Sequence, residues 1–192
     1  MTASDVALLP FGGRNVPRPL RGLPVAGLDE LGDYRRVIVV GSQADLARVL
    51  TTLLRTEKLD VEIGFVPGRL GARRALSAKA RRVPLIRDDI GAVIVGSATW
   101  QGADGPLHGE AVVDDTTLFY GDVAGVRIEP TLAMPGLRAA VLTGRRPSRW
   151  VAGRAAQLGT TGAVVTRDGV AAPRPVKRST FYRHVKGWLL VG

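Results

Sequence analysis

Two strand-to-helix junctions carry the residue types that phosphate chemistry uses. Residues 37–50 read VIVVGSQADLARVL and residues 61–76 read VEIGFVPGRLGARRAL. Each opens on a β-branched apolar run, residues 37–40 and 61–66, bounded by Gly or Pro, which is the pattern of a buried strand in a parallel sheet. After Gly41 the period changes, and Leu46, Val49, Leu50, Leu53 and Leu54 recur at helical spacing with polar residues between them. The segment therefore reads as strand, glycine turn, helix. The free main-chain N–H groups and dipole at such a helix N-terminus attract an anion, so phosphate binding is the chemistry this spacing could support. The same geometry also serves as a plain connection between elements.

The order of these pieces resembles the diacylglycerol kinase and related lipid kinase family. Gly41-Ser42-Gln43-Ala44-Asp45-Leu46 falls where that family carries Gly-Gly-Asp-Gly-Thr-Leu, and the segment from Pro67 to Ala75, with Gly71, falls where it carries Pro-Leu-Gly-Thr-Gly-Asn-Asp-Phe-Ala. The opening Val6-Ala7-Leu8-Leu9-Pro10-Phe11-Gly12-Gly13-Arg14 is similar to the family's first strand and its Asn-Pro-x-Ser-Gly-Arg turn, and Arg167-Asp168-Gly169-Val170 sits like its Asp-Gly-Glu. The resemblance implies nucleotide loops at Gly12, Gly13, Gly41, Ser42, Gln43 and Gly71, and a general base at Asp168.

The departures fall on the chemistry. The family loop's Asp is Gln43 here, its second and third glycines are Ser42 and Ala44, and its Thr is Asp45, which puts a carboxylate where ATP phosphates would lie. The Gly-Thr-Gly-Asn-Asp stretch becomes Arg69-Leu70-Gly71-Ala72-Arg73, without the Asp of the magnesium network, and Val170 replaces the Glu after Asp168. Phosphoryl transfer depends on positioning and on charge stabilisation by Mg²⁺, so losing these carboxylates removes most of the catalysis. The nucleotide loops and Asp168 are then vestigial, and neither ATP nor Mg²⁺ is expected as a cofactor. Asp-Gly is in any case also a common hairpin turn.

Composition bounds the organisation. At 192 residues with 45% apolar residues the chain can build one large domain or two small ones. It has no cysteine, which removes disulfides and cysteine metal sites and fits a reducing cytoplasm. No run approaches 18 apolar residues, and the N-terminus lacks a basic region followed by a long apolar stretch. The expected fold is α/β followed by β: a Rossmann-like half with a parallel sheet over residues 1–82, its 18–36 crossover shorter than in the lipid kinases, then an antiparallel β-sandwich half over residues 83–192. Strands are expected at 92–98, 109–113, 116–120, 123–128, 137–142, 154–158, 163–167, 176–181 and 187–191, separated by Gly, Pro and Asp turns. Trp100, Trp150 and Trp188 are expected in the β core with their indole N–H groups bonded to the backbone.

Charge is the second strong feature. The net charge is +10, and the excess is clustered, notably at Arg145, Arg146, Arg149 and Arg154 and at Arg174, Lys177, Arg178, Arg183 and Lys186. The second group reads as an anion-binding hairpin beside Phe181, Tyr182 and Trp188, suited to an anionic membrane surface. Aromatic residues make up only 5% of the chain, too few for a base-stacking platform. His108 and His184 have no zinc spacing, Ser42, Ser148 and Ser179 have no base in a motif, and the carboxylates of Asp88-Asp89 and Asp114-Asp115 would point to opposite faces of a strand.

The reading is a diacylglycerol-kinase-like protein without catalysis, a basic module in the cytoplasm or at the inner face of the membrane. Its expected partner is an anionic lipid surface or a protein complex, with a second copy of the chain a further candidate. Two alternatives stand beside it: an active ATP- and Mg²⁺-dependent lipid kinase using Asp45 or Asp168, and a nucleic-acid or ribosome-associated protein.

Overall fold

Buried β-branched runs fold as strands here, and the amphipathic segment after Gly41 folds as a helix. The structure is a computed structural model describing residues 5–68, 70–144 and 146–192; Arg69 and Arg145 lie outside the described residues. In chain order the elements are β1 (Val6–Pro10), β2 (Arg36–Val40), α1 (Gln43–Arg55), β3 (Glu62–Val66), α2 (Ala72–Ser77), β4 (Ala80–Val83), β5 (Ile86–Asp88), β6 (Val93–Ile94), β7 (Ala98–Gly102), β8 (Leu107–Val113) and β9 (Thr116–Val123). They continue with β10 (Val126–Pro130), β11 (Leu137–Thr143), β12 (Arg146–Pro147), β13 (Val151–Gly153), β14 (Ala155–Arg167), β15 (Val170–Ala171), β16 (Val176–Arg183) and β17 (Trp188–Val191). Short 3₁₀ turns at Arg18–Leu20 and Leu31–Asp33 interrupt the 18–36 crossover.

The first unit runs to Val83 and takes back Lys186–Gly192. Its sheet has the order β1-β2-β3-β17-β4, parallel through β17 and antiparallel at β4. All five residues of β2 are buried, as an inner strand of a parallel sheet requires. α1 buries Leu46, Ala47, Val49, Leu50 and Leu53, the stripe expected from its spacing, with Leu54 half-buried at its edge. Ala72 and Ala75 of α2 pack with Leu20 against Leu8, Ile38, Val40 and Val66.

One polar side chain is built into this core. Arg36 is buried, and its Nε donates to Glu62 Oε2 at 2.7 Å while the rest of the guanidinium donates to the carbonyls of Ala75, Leu76 and Ala78. A single guanidinium thus joins β2 and β3 to the carbonyl end of α2, where free acceptors and the helix dipole favour a cation.

The second unit is Pro84–Val185, a large antiparallel sheet whose main path is β12-β11-β10-β7-β14-β16-β5-β6, with β8 joined to β14 and β9 to β8. The thirteen-residue β14 organises it. Its first half pairs with β8 and β16 and its second half with β7, across a register shift between Gly159 and Ala163. That bulge is why the strands expected at 154–158 and 163–167 are one strand. The core is centred on Trp100 and Phe181, ring centroids 5.9 Å apart, and the Trp100 indole N–H donates to the Ser179 hydroxyl at 2.9 Å. Truncating either ring would cost about 3–5 kcal/mol.

Several sequence expectations are corrected by these pairings. The strand expected at 187–191 is β17 and belongs to the first sheet, between β3 and β4, because a strand's period says what it buries and not which sheet it joins. Trp188 therefore packs in the first unit, and Trp150 is half-buried with the Arg138 guanidinium 4.3 Å over its ring; only Trp100 of the three fills the β core, and its partner is a side chain, not the backbone. The strand expected at 92–98 breaks after Ile94, since the N–H groups of residues 95–97 turn to a carboxylate instead of a ladder. β4 and β5 were not anticipated, as exposed Arg81 and Arg82 hide the apolar pattern of β4.

Candidate functional site

In the first unit, the turns after β1, β2 and β3 lie at the carboxyl ends of parallel strands, where open α/β sheets bind ligands. After β1, Phe11 N–H donates to Val40 O at 2.9 Å and Arg14 N–H to Phe11 O at 3.2 Å, with Gly12 at φ +62° and Gly13 at φ +61°. Consecutive positive φ angles favour glycine, which adopts them without a Cβ penalty. Arg14 Nη1 donates to Pro67 O at 2.8 Å and so ties the turn after β1 to the turn after β3. The Arg48 guanidinium of α1 stands 5.7 Å from the Phe11 ring centroid.

At the turn after β2 the helix closes on itself. Asp45 N–H donates to Ser42 Oγ at 3.2 Å, while Asp45 Oδ2 accepts from Ser42 N–H at 2.8 Å and from the Ser42 hydroxyl at 2.7 Å. This is a reciprocal capping box. Gly41 lies against it, and a Cβ there would stand 2.9 Å from Asp45 Cβ and Oδ2. The glycine therefore makes room for Asp45. Burial would raise the Asp45 pKa, but the Ser42 hydrogen bonds and the charges of Arg14 and Arg48 outweigh it and hold the carboxyl below the ordinary aspartate value. Gln43 is exposed at the first position of α1, and Gly71, at φ +88°, precedes α2 without a side-chain cap.

A nucleoside triphosphate with Mg²⁺ is the group this kind of turn would hold, and the residues present do not fit it. Ser42 and Asp45 N–H groups are bonded to side chains, and an ionised carboxylate sits where a phosphate would approach.

Asp168 lies in the second unit, in the two-residue turn between β14 and β15. It has φ +47° and Gly169 φ +86°, the pair of positive angles that a type I′ hairpin demands. Its carboxylate accepts Val95 N–H at 3.0 Å, Gly96 N–H at 2.6 Å and Ser97 N–H at 3.0 Å, and its own N–H returns to Ser97 O at 2.8 Å. The side chain is a staple between two segments.

Other carboxylates are similarly engaged. Asp88, fully buried, accepts from Ile90 and Ala92 N–H and from Arg167 Nε at 2.6 Å. Asp114 accepts from Arg154 and Ala155 N–H. His108 Nδ1 lies 2.8 Å from Asp122 Oδ1 on the exposed face of the β8–β9 hairpin. Among the described residues, no three His, Asp or Glu side chains converge as a metal-binding group.

The basic group expected on one hairpin is divided. Arg174, Lys177 and Arg178 are exposed, with Lys177 and Arg178 on opposite faces of β16. Arg183 is tied to Met134 Sδ and to Pro135 O at 2.9 Å, while Lys186 belongs to the first unit and pairs with Asp60 at 2.6 Å. Phe181 is buried and Tyr182 lies under the Arg87 guanidinium at 4.6 Å, so neither faces solvent as a membrane anchor. Sequence reasoning missed a cluster on β10, β11 and the β12–β13 segment: Glu129 accepts from Arg127 Nε at 2.7 Å and from Arg138 at 2.6 Å, and Arg138 stacks on Trp150. The i, i+2 spacing of Arg127 and Glu129 on one strand was the available signal.

No protein-family model and no curated protein matches the chain. Solved structures do. A putative diacylglycerol kinase from Bacillus anthracis str. Sterne matches with TM-score 0.71 at 8% identity, covering 97% of this chain and 96% of that one. A second structure of a putative diacylglycerol kinase from the same source gives TM-score 0.69 at 12% identity over 97% and 96%. An NAD kinase from Archaeoglobus fulgidus in complex with ATP gives 0.62 at 12% identity over 97% and 93%. The chain has the fold of the diacylglycerol and NAD kinases. The expected class is borne out: this kinase-like fold combines a sheet of parallel strands and helices with a large antiparallel sheet. Among the described residues, no helix of the kinase-like fold is long and apolar enough to cross a membrane.

Proposed function

We propose that this chain is a diacylglycerol-kinase-like protein that has lost phosphoryl transfer and works as a basic binding or accessory module, at an anionic membrane surface or in a protein complex. One observation carries the reading: the Asp45 carboxylate, bonded to Ser42, closes the helix N-terminus at the first glycine turn. Catalysis of phosphoryl transfer is almost entirely positioning and charge stabilisation, and a fixed negative charge at this turn opposes a polyphosphate. Asp168 supports it further. Three of the about four acceptor sites of its carboxylate are taken by main-chain N–H groups of residues 95–97, which leaves little of it to a substrate.

The test is incubation of the purified protein with radiolabelled ATP, Mg²⁺ and vesicles containing diacylglycerol. The expected result is no phosphorylated lipid above a control without protein. Product that disappears in the Asp168→Asn variant would overturn the reading and make the chain an active lipid kinase.

A further inference from the structure

One edge of the second sheet combines charge and apolar exposure. The segment 146–153 returns along β11, with Arg146 opposite Thr143, Ser148 N–H bonded to Val141 O, and Val151 opposite Ala139. β12 and β13 close that side of the sheet, so this segment is its outer edge. Alternation along the edge puts Trp150, Ala152 and Arg154 on the face that carries Arg138 and Glu129. Arg146, Arg149 and Arg154 are exposed, and among the described residues their guanidinium groups have no hydrogen-bond or ion-pair partner. Two carboxylates lie at the patch: Glu129 is shared between Arg127 and Arg138, and Asp114 accepts the main-chain N–H groups of Arg154 and Ala155, leaving the guanidinium of Arg154 unpaired.

At one end of the same edge stands an exposed apolar tip. The loop between β10 and β11 exposes Leu132 by 55% and Met134 by 68%. It is held rather than free, by Thr131 N–H to Gly136 O at 2.8 Å, Thr131 Oγ1 to Ala133 O at 2.7 Å and Arg183 to Pro135 O at 2.9 Å. Leu137 follows the loop and pairs with Gly153, which places Arg154 beside its base. Unpaired cations spread along about 20 Å of strand, from Arg146 at the far end of β11 to Arg154 near the exposed Leu132 and Met134, match a surface that is anionic outside and apolar just beneath.

We propose that this edge, with the tip at residues 132–134, docks on an anionic lipid bilayer. The proposal rests on the accessory-module reading above and names its surface and partner. The cations draw the sheet edge to the headgroups, and Leu132 and Met134 enter the interface. Nucleic acid would use the charge but leave the apolar tip in water.

The test is cosedimentation of the full chain with vesicles of phosphatidylcholine alone or with 30 mol% phosphatidylserine (about that of an anionic leaflet), across a salt series. Retention by anionic vesicles only, weakening as salt rises, is expected. Arg146→Gln with Arg149→Gln removes two charges that bond nothing, and should lower partitioning about 30-fold, at about fivefold per basic residue. Leu132→Ser should lower it about fivefold. Lys79→Gln with Arg81→Gln, the same charge change on exposed residues of the first unit, is the comparison and should leave partitioning within about twofold. Equal losses from the two pairs, equal retention by neutral vesicles, or binding to RNA but not to vesicles at physiological salt would each overturn the proposal. ATP turnover measured on the same vesicles reports the loss of catalysis separately, so either reading can fail without the other.

Discussion

Asp45 Oδ2 sits 2.8 Å from the Ser42 main-chain nitrogen and 2.7 Å from its hydroxyl, and so caps α1 with the chain's own negative charge. Asp45→Ala is expected to destabilise the protein by about 1 kcal/mol, read from urea unfolding. Asp45→Asn removes the charge while keeping the shape, and should raise the affinity for inorganic phosphate about fivefold in calorimetric titration. Unchanged phosphate binding would mean that the carboxylate does not guard the turn.

Asp168 works as a staple, and the expected consequence is structural. Asp168→Asn keeps a side chain that tolerates positive φ but loses the charge and one acceptor for the N–H groups of Val95, Gly96 and Ser97. Stability should fall by about 2 kcal/mol. An Asn variant that unfolds like the wild type would contradict the staple.

Arg36 should be among the most sensitive positions of the first unit. Arg36→Met leaves three carbonyls without their cation in a largely buried site and leaves Glu62 to Arg35 alone, at a cost of about 3 kcal/mol. Arg36→Lys should recover little, because one ammonium cannot reach β3 and the end of α2 together. Denaturant unfolding of both variants measures the difference.

His184 gives the second unit a pH dependence. Burial, and then the charge of Arg87, hold its imidazole below the ordinary histidine value. A group with a depressed folded pKa binds protons more readily in the unfolded chain. Its contribution is therefore complete above the unfolded value near about 6.5 and is lost as pH falls through the folded value. Urea midpoints should decline between neutral pH and about pH 5, and His184→Gln should flatten that decline. The same slope in both proteins would assign it to other groups.

Local order was legible in residues 37–50, because a buried run, a glycine and a helical stripe are decided by neighbours in the chain, and they became β2, a turn and α1. The Asp45 carboxylate was legible as an obstacle at that turn, three residues from Ser42. Its capping box was not foreseen, although Ser followed three residues later by an acid is one of its local signatures. Asp-Gly at residues 168–169 was legible as a hairpin, but not the three N–H groups that bind Asp168 from 71–73 residues away.

By itself, then, the sequence determined the buried strands at β2 and β3, where α1 begins, the alternation of helices and strands before the strand-rich half, and the basic excess. Tertiary structure alone decided that β17 completes the first sheet, that Lys186 leaves the C-terminal cluster for Asp60, that Arg36 is buried, and that Arg138, Trp150 and Glu129 share one face. The reason is physical. Burial period and capping act over a few residues, whereas strand partners and ion pairs between distant residues are selected by the free energy of the whole folded chain, and no local pattern encodes which distant group will arrive.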